Sequence, residues 1–306
     1  MPRKSREQRI FECIEWSAVE REIGEHGVSQ SGLYTFKFPD KKDELCERII
    51  SVFNIENPEL FRIKFNEAVS GDGDEAKKMT SIKSSSLCAL LCFYNISKNG
   101  RHIVIGNTEY TNSYFEVKNQ VFNNPSNMDV VLTSDSGEIL FVECKFSEYL
   151  STSPIEISAA YEDNEISGKI YRKASKILYK NEEGKYESKD SYVGGLKQII
   201  SHYVGLLNFK GKGNDYMSGY NQAERIRNDI HKGTFKKISF IEVVYKLNDS
   251  ELVKYFDSYH SKSKELIQIL KEQNDGIDFL EPTSYQKAFE SNQSVLDKTV
   301  KEFYKL

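Results

Sequence analysis

A segment in the middle of the chain restricts its fold more than any other, because it reads as one tight β-hairpin. Residues 128–133 and 139–146 form two largely apolar runs, separated by a short polar stretch that ends in Gly137. A three-residue loop, a type I turn followed by glycine in the left-handed region, would pair Ser134 with Glu138. Strands that are apolar on both faces are normally covered on both sides. The pattern therefore predicts the interior of a sheet flanked by helices.

Three ionisable side chains interrupt these apolar strands and would share one face of the hairpin. The predicted register places Asp129 opposite Glu143, with Cβ atoms roughly 5 Å apart, and Lys145 two residues further along. Burying such groups without partners is costly, whereas Mg²⁺ takes carboxylate oxygens as ligands. We therefore predict that Asp129 and Glu143 bind a divalent metal ion, and that Lys145 steadies an attacking water or a phosphate oxygen. The chemistry implied is hydrolysis of a phosphodiester bond.

Asp129 and the tripeptide Glu143-Cys144-Lys145 together resemble the motif of the PD-(D/E)XK nuclease superfamily, the restriction-endonuclease-like enzymes, and within it a bacterial subgroup. Met128 stands where the motif has its proline. The resemblance implies an α/β restriction-endonuclease-like core, with a mixed central sheet flanked by helices and with helical N- and C-terminal additions. It also implies that Mg²⁺, with Mn²⁺ as a substitute, is held by Asp129, Glu143 and the Cys144 carbonyl.

The order of predicted elements divides the chain into three parts. These are a mostly helical N-terminal extension at 1–71, a nuclease core at 72–247 with a polar insertion at 147–192, and a C-terminal α/β extension at 248–306 packed on the core. The first part is predicted to contain a helix over residues 5–24 and a strand at 33–38. In the second part a serine-capped helix precedes three strands, a further helix and a fourth strand. This is the element order that the resemblance implies.

Two glutamates compete for the role of an additional acid. Glu75 follows a glycine-rich turn at 71–74 and would begin the first core helix, where many superfamily members place an acid near a metal-bound water. The alternative is an ordinary first-turn glutamate favoured by the helix dipole. Glu116 lies on the strand before the hairpin, and a four-residue loop at 123–126 would place it opposite Thr133. That position is far from the active end of the sheet, so we prefer Glu75.

The predicted helix at about 195–208 has one apolar and one polar face. Gln198 and His202 lie four residues apart on the polar face. This spacing resembles RecB-type nucleases, in which a glutamine followed four positions later by an aromatic residue approaches the metal site or the DNA backbone. Both residues are therefore candidates for DNA contacts, with a solvated polar face as the alternative.

Basic residues accompany aromatic residues in the insertion and again at 210–232. The candidates in the insertion are Lys169, Arg172, Lys173 and Lys176. Lysine and arginine side chains typically contact phosphates, so we expect double-stranded DNA to lie against the insertion. Solvated charged faces are the alternative, and no base-reading motif is predicted.

Charge and cysteine content narrow the class of protein further. A formal net charge of −4 over 306 residues provides no overall basic field for nucleic acid. Five cysteines without a C-x-x-C pair indicate a reducing compartment and argue against a zinc site. No apolar run approaches the ~20 residues that span a bilayer, so we expect a cytoplasmic protein without a membrane partner.

These patterns predict phosphodiester hydrolysis, and the resemblance implies a Mg²⁺-dependent DNA endonuclease acting in bacterial restriction or defence. The alternative is a catalytically silent nucleic-acid-binding or assembly module on the same fold. RNA as the substrate, one or two metal ions, and a homodimer as the assembly all stay open.

Overall fold

The computed structural model describes residues 4–15, 19, 36, 41–70, 75–122, 125–212, 230 and 233–306. The helices in these ranges are α1 (Arg6–Cys13), α2 (Lys42–Phe53), α3 (Pro58–Ala68), α4 (Glu75–Lys78), α5 (Ser85–Phe93), α6 (Ala159–Glu162), α7 (Glu165–Lys173), α8 (Val193–Lys212), α9 (Val253–Lys271), α10 (Tyr285–Glu290) and α11 (Lys298–Tyr304). The strands are β1 (Ile103–Ile105), β2 (Thr108–Tyr110), β3 (Asn112–Gln120), β4 (Pro125–Thr133), β5 (Glu138–Lys145), β6 (Tyr179–Lys180), β7 (Tyr186–Glu187), β8 (Lys237–Val244), β9 (Asp278–Phe279) and β10 (Thr283–Ser284). Except for Phe36, the strand predicted at 33–38 lies outside the described residues, as do the turn at 71–74 and most of the basic run at 210–232.

A mixed sheet forms the centre of the fold, as predicted. Strands β3, β4 and β5 are antiparallel neighbours, and β8 lies parallel to β5 on its other side. Both β9 and β10 pair with β8 in parallel. The C-terminal segment that was predicted to pack on the core therefore also adds strands to its sheet. Parallel neighbours need a crossover connection, and the insertion together with α8 provides it between β5 and β8.

The central hairpin has the predicted register. Val130 pairs with Val142, which continues the alignment that places Asp129 opposite Glu143. Gly137 adopts a φ of 84°, the left-handed conformation that the three-residue loop requires. The loop chemistry and the apolar alternation thus specify this part of the sheet locally.

The register between β3 and β4 was predicted wrongly. Gln120 pairs with Pro125, so the connecting loop lies earlier in the chain than 123–126. The proline occupies the first position of β4, where a missing N–H group is tolerated. Glu116 consequently lies beside Asp129 and not opposite Thr133. Its φ of 50° is left-handed and the backbone pairing skips it, while the register stays the same on both sides, so β3 is distorted at this point without an inserted residue.

The first helix is shorter than the predicted helix over residues 5–24. It ends at Cys13, and Ile14 is extended. The backbone N–H of Glu15 donates to the carbonyl of Phe303 over 3.0 Å. After α1 the chain is therefore extended and hydrogen-bonds to α11.

Helices cover both faces of the sheet. On one face, Phe141 of β5 contacts Phe209 of α8, with ring centroids 5.2 Å apart. Cys144 points to the other face, where it contacts Tyr285 of α10. On that side α5 begins at the predicted serine cap, since Ser84 Oγ accepts the N–H of the third residue after it over 3.1 Å. One hydrophobic core runs from Ile10 to the C-terminal helix and joins all three predicted parts.

All five cysteines are buried and unpaired. None of the helices in the described ranges combines the length and the apolar character that a membrane span needs.

Candidate active site

A cleft of about 760 Å³ opens at the end of the central hairpin. The sheet, α4, α5, α8 and the insertion all contribute to its lining. The carboxylates that line it are Glu75, Glu116, Asp129, Glu143, Glu148 and Glu156, and the cationic side chains are Lys78, Lys145 and Lys197, with His202 beside them. Six carboxylates thus face three lysines, and the cleft carries excess negative charge.

Asp129 is held by the strand next to its own. Backbone pairing between β4 and β5 is regular as far as Val130 and Val142. At the next position the Oδ2 atom of Asp129 accepts the N–H of Cys144 over 2.6 Å. Burial, and then the charge of Glu143, raise the pKa of Asp129 well above its usual range. The carboxylate is therefore fixed in place but poorly solvated.

Glu143 lies between two basic side chains. Lys145 Nζ donates to its Oε1, and His202 Nε2 lies 2.7 Å from its Oε2, although without the alignment of a directed hydrogen bond. All three side chains are at most 6% exposed. Burial alone would raise the pKa of Glu143, but Lys145 and His202 outweigh it and lower the pKa to about 2. Glu143 is therefore ionised at neutral pH.

Lys145 is also ionised. Burial opposes its charge, but the negative charges of Glu143 and Asp129 outweigh burial and raise the pKa of Lys145. A lysine that stays protonated can donate hydrogen bonds to an anion but cannot accept a proton. The structure thus brings together the predicted cluster of Asp129, Glu143 and Lys145. Within it, Glu143 and Lys145 form an ion pair.

Both candidates for the additional acid reach the cleft. Glu75 is the first residue of α4, is 6% exposed, and accepts a hydrogen bond from Lys78 Nζ over 3.1 Å. Glu116 is 7% exposed at the distorted position of β3, and its charge adds to the rise in the pKa of Asp129. The structure therefore brings Glu116 to the end of the sheet that lines the cleft, where the sequence-based register had not placed it.

The polar face of α8 lines the cleft and is partly buried. Gln198 lines the cleft, and its buried Oε1 has no hydrogen-bond partner in the described part of the chain. His202 was predicted to contact DNA, but its ring is only 2% exposed. Its Nδ1 lies 2.6 Å from the hydroxyl of Ser126, so both ring nitrogens already face protein atoms. The ring therefore offers very little surface for a direct contact with DNA, and that contact stays a prediction.

The basic residues of the insertion lie elsewhere. Lys169, Arg172, Lys173 and Lys176 are all exposed, on α7 or just after it, and none of them lines the cleft. Lys173 Nζ donates to Gln273 Oε1 of the C-terminal part over 3.0 Å. Their predicted contact with DNA is thus separate from the chemistry of the cleft.

The structure shows several candidate functional residues that the sequence analysis did not identify. Ser126 and Lys197 line the cleft, and burial lowers the pKa of Lys197. Glu242 of β8 lies next to Glu143 in the parallel register but is fully buried. It accepts hydrogen bonds from Tyr259 and, over 2.6 Å, from Ser263. Burial, only partly offset by these two hydroxyl groups, raises the pKa of Glu242 to about 7.

The donor atoms of the cleft suit a hard cation, although they are not arranged as a finished metal site. In the described ranges, no group of three or more His, Cys, Asp or Glu side chains has metal-binding geometry. The predicted set of Asp129, Glu143 and the Cys144 carbonyl contains only two such side chains, so it falls below that number. Carboxylate, carbonyl and water oxygens are nevertheless the ligands that Mg²⁺ prefers. Oε1 of Gln198, which has no partner among the described residues, adds another oxygen to the cleft wall.

Comparison with known proteins adds no relative, since neither a protein-family model, nor a curated protein, nor a solved structure matches this chain. The fold and site define an α/β protein that has a mixed central sheet flanked by helices and an acidic cleft at the end of its central hairpin.

Proposed function

We propose that this protein is a nuclease with a restriction-endonuclease-like core, and that it hydrolyses phosphodiester bonds of DNA with the help of Mg²⁺. One observation carries the proposal: Asp129, Glu143 and Lys145 meet at one end of the central sheet, in a cleft where six carboxylates face three lysines. Such a cleft repels a phosphodiester unless cations enter with it. A metal-dependent reaction on a polyanion fits this distribution of charge best.

The metal ion, when bound, would polarise a phosphate oxygen and lower the pKa of a water ligand. Asp129, Glu143 and the Cys144 carbonyl would hold it. Lys145 would donate hydrogen bonds to the phosphate, because its raised pKa keeps it protonated and unsuited to act as a base. Glu75 and Glu116 would orient water at the edge of the site. Mn²⁺ would substitute for Mg²⁺.

Incubation of the purified protein with supercoiled plasmid tests this proposal. We expect nicking or linearisation with Mg²⁺ and none with EDTA. Alanine at Asp129, Glu143 or Lys145 should each reduce the rate by at least ~100-fold. Lys185→Ala is a matched control, because Lys185 is a partly exposed lysine of the insertion that pairs with Glu183 and does not line the cleft. An RNA of the same sequence, run in parallel, decides between the two nucleic acids. Cleavage at the wild-type rate by Glu143→Ala would exclude the assignment.

A second function has one specific observation in its favour. Glu143 is already engaged by Lys145 and His202, and the described residues contain no preformed cluster of three metal ligands. A catalytically silent nucleic-acid-binding or assembly module could retain such a closed site. A silent nucleic-acid-binding module would bind DNA with the same affinity in the presence and absence of EDTA. It would not cleave DNA with any divalent ion.

A further inference from the structure

A chain of close contacts runs from the edge of the cleft to Glu143. Ser126 Oγ lies 2.6 Å from Nδ1 of His202, and Nε2 of the same ring lies 2.7 Å from Oε2 of Glu143. Ser126 is 9% exposed, and the other two residues are 2% exposed. The imidazole therefore spans the space between a hydroxyl group and a carboxylate, shielded from solvent.

The carboxylate determines where the protons lie in this chain. An ionised carboxylate offers only lone pairs, and a second lone pair at 2.7 Å would repel it, so Nε2 of His202 must carry a hydrogen. In the neutral ring Nδ1 is then the acceptor, and the hydroxyl of Ser126 donates to it. Ser126 thus fixes both the orientation and the tautomer of the ring that faces Glu143.

The local fold brings His202 close enough for this contact. Gly205 follows it by three residues on α8, and a Cβ atom at Gly205 would lie 3.0 Å from the Cβ of Asn119 on β3. Even a methyl group at this position would require Asn119 or α8 to shift by a few tenths of an ångström. The glycine therefore permits the close approach that puts the imidazole against Glu143.

We propose that His202, oriented by Ser126, is a positioning residue that holds the Glu143 carboxylate in place for a divalent cation. The role rests on the proposed function, since it concerns the same metal site. Lys145 engages one oxygen of Glu143 and His202 faces the other, so neither oxygen can rotate away. A carboxylate has about four lone-pair positions, so each oxygen can still accept a further partner. Groups that orient metal ligands in this way typically contribute 10- to 100-fold in metal affinity.

Two substitutions of similar size separate positioning from packing. His202→Gln can place an N–H near the position of Nε2 and keep the contact with Glu143. His202→Asn can reach only the Nδ1 side and loses that contact. Mn²⁺ affinity, measured by calorimetry and by the electron paramagnetic resonance of the free ion, should stay within about threefold of wild type in His202→Gln and fall about 10- to 100-fold in His202→Asn and His202→Ala. Saturating Mn²⁺ should restore most of the cleavage rate.

The matched control is His260→Ala. His260 is a partly buried histidine of α9 that stacks on Phe256 outside the cleft, so its loss should leave Mn²⁺ affinity unchanged. Thermal melting of each variant shows whether it is folded.

The outcomes separate this inference from the proposed function. If the wild-type protein binds no Mn²⁺, both are overturned. If it binds Mn²⁺, and His202→Ala and His202→Asn bind equally well, only the positioning role is overturned. Covalent labelling of Ser126 by a fluorophosphonate would also overturn it, because the same contacts would then activate a nucleophile.

Discussion

Replacing Glu242 with glutamine should stabilise the protein at neutral pH but not at acidic pH. Burial raises the pKa of this fully enclosed carboxyl group from 4.5 to about 7. Its stabilising contribution is therefore fully present below pH 4.5 and is lost as the pH rises to about 7, because the folded state then has to ionise a buried group. One pKa unit corresponds to about 1.4 kcal/mol, so the loss amounts to about 3 kcal/mol. Glutamine has no charge to bury, and Tyr259 and Ser263 can still hydrogen-bond to it.

Urea denaturation of wild type and Glu242→Gln at several pH values between 4.5 and 8 measures this effect. The free energy of unfolding of the variant, relative to wild type, should rise by about 3 kcal/mol across that range. The contributions of groups that titrate equally in both proteins cancel when the two unfolding free energies are subtracted. Glu183→Gln, at an exposed carboxylate of the insertion, should show no such trend. If the difference in unfolding free energy between variant and wild type does not change with pH, the burial argument is refuted.

Three further predictions concern the cap, the hairpin loop and the insertion. Ser84→Ala should lower the free energy of unfolding by about 1 kcal/mol, measured by denaturation, because α5 loses the acceptor for the Leu87 N–H. Gly137→Ala should cost about 1 kcal/mol in the same assay, since a φ of 84° strains a residue with a side chain; an unchanged midpoint would contradict that. Joint neutralisation of Lys169, Arg172, Lys173 and Lys176 should reduce the log–log salt slope of DNA binding by about 0.9 per lost phosphate contact and leave Mn²⁺ affinity unchanged; an unaltered slope would place the DNA elsewhere.

The central hairpin was predictable because its determinants are local. Loop length, a glycine and apolar alternation specify the register that places Asp129 opposite Glu143. The α/β class, with a mixed central sheet flanked by helices, followed from the same runs and from the order of elements. Glu116 was misplaced because the position of Pro125, at the start of a strand and not inside the loop, depends on tertiary pairing.

Other parts of the site depend on contacts between residues distant in sequence. His202 meets Ser126 across 76 positions, and only the crossover of α8 above the sheet brings them together. In the sequence, Glu242 is a single acidic residue within a predicted strand. Its burial becomes evident only when β8 is placed between β5 and the C-terminal strands. No periodicity or motif in the sequence indicates either contact.

Thermal melting with and without divalent ions tests most directly whether the cleft is a metal site. A ligand that binds only the folded state adds roughly 2.7 kcal/mol at one hundred times its dissociation constant, which corresponds to several degrees in melting temperature. We predict that Mg²⁺, Mn²⁺ and Ca²⁺ each raise the melting temperature of the wild-type protein, and that Asp129→Asn, which has one carboxylate fewer, loses this rise. Two results would contradict the metal site and with it the proposed nuclease. One is a melting temperature that none of the three ions changes, and the other is an equal rise in wild type and Asp129→Asn.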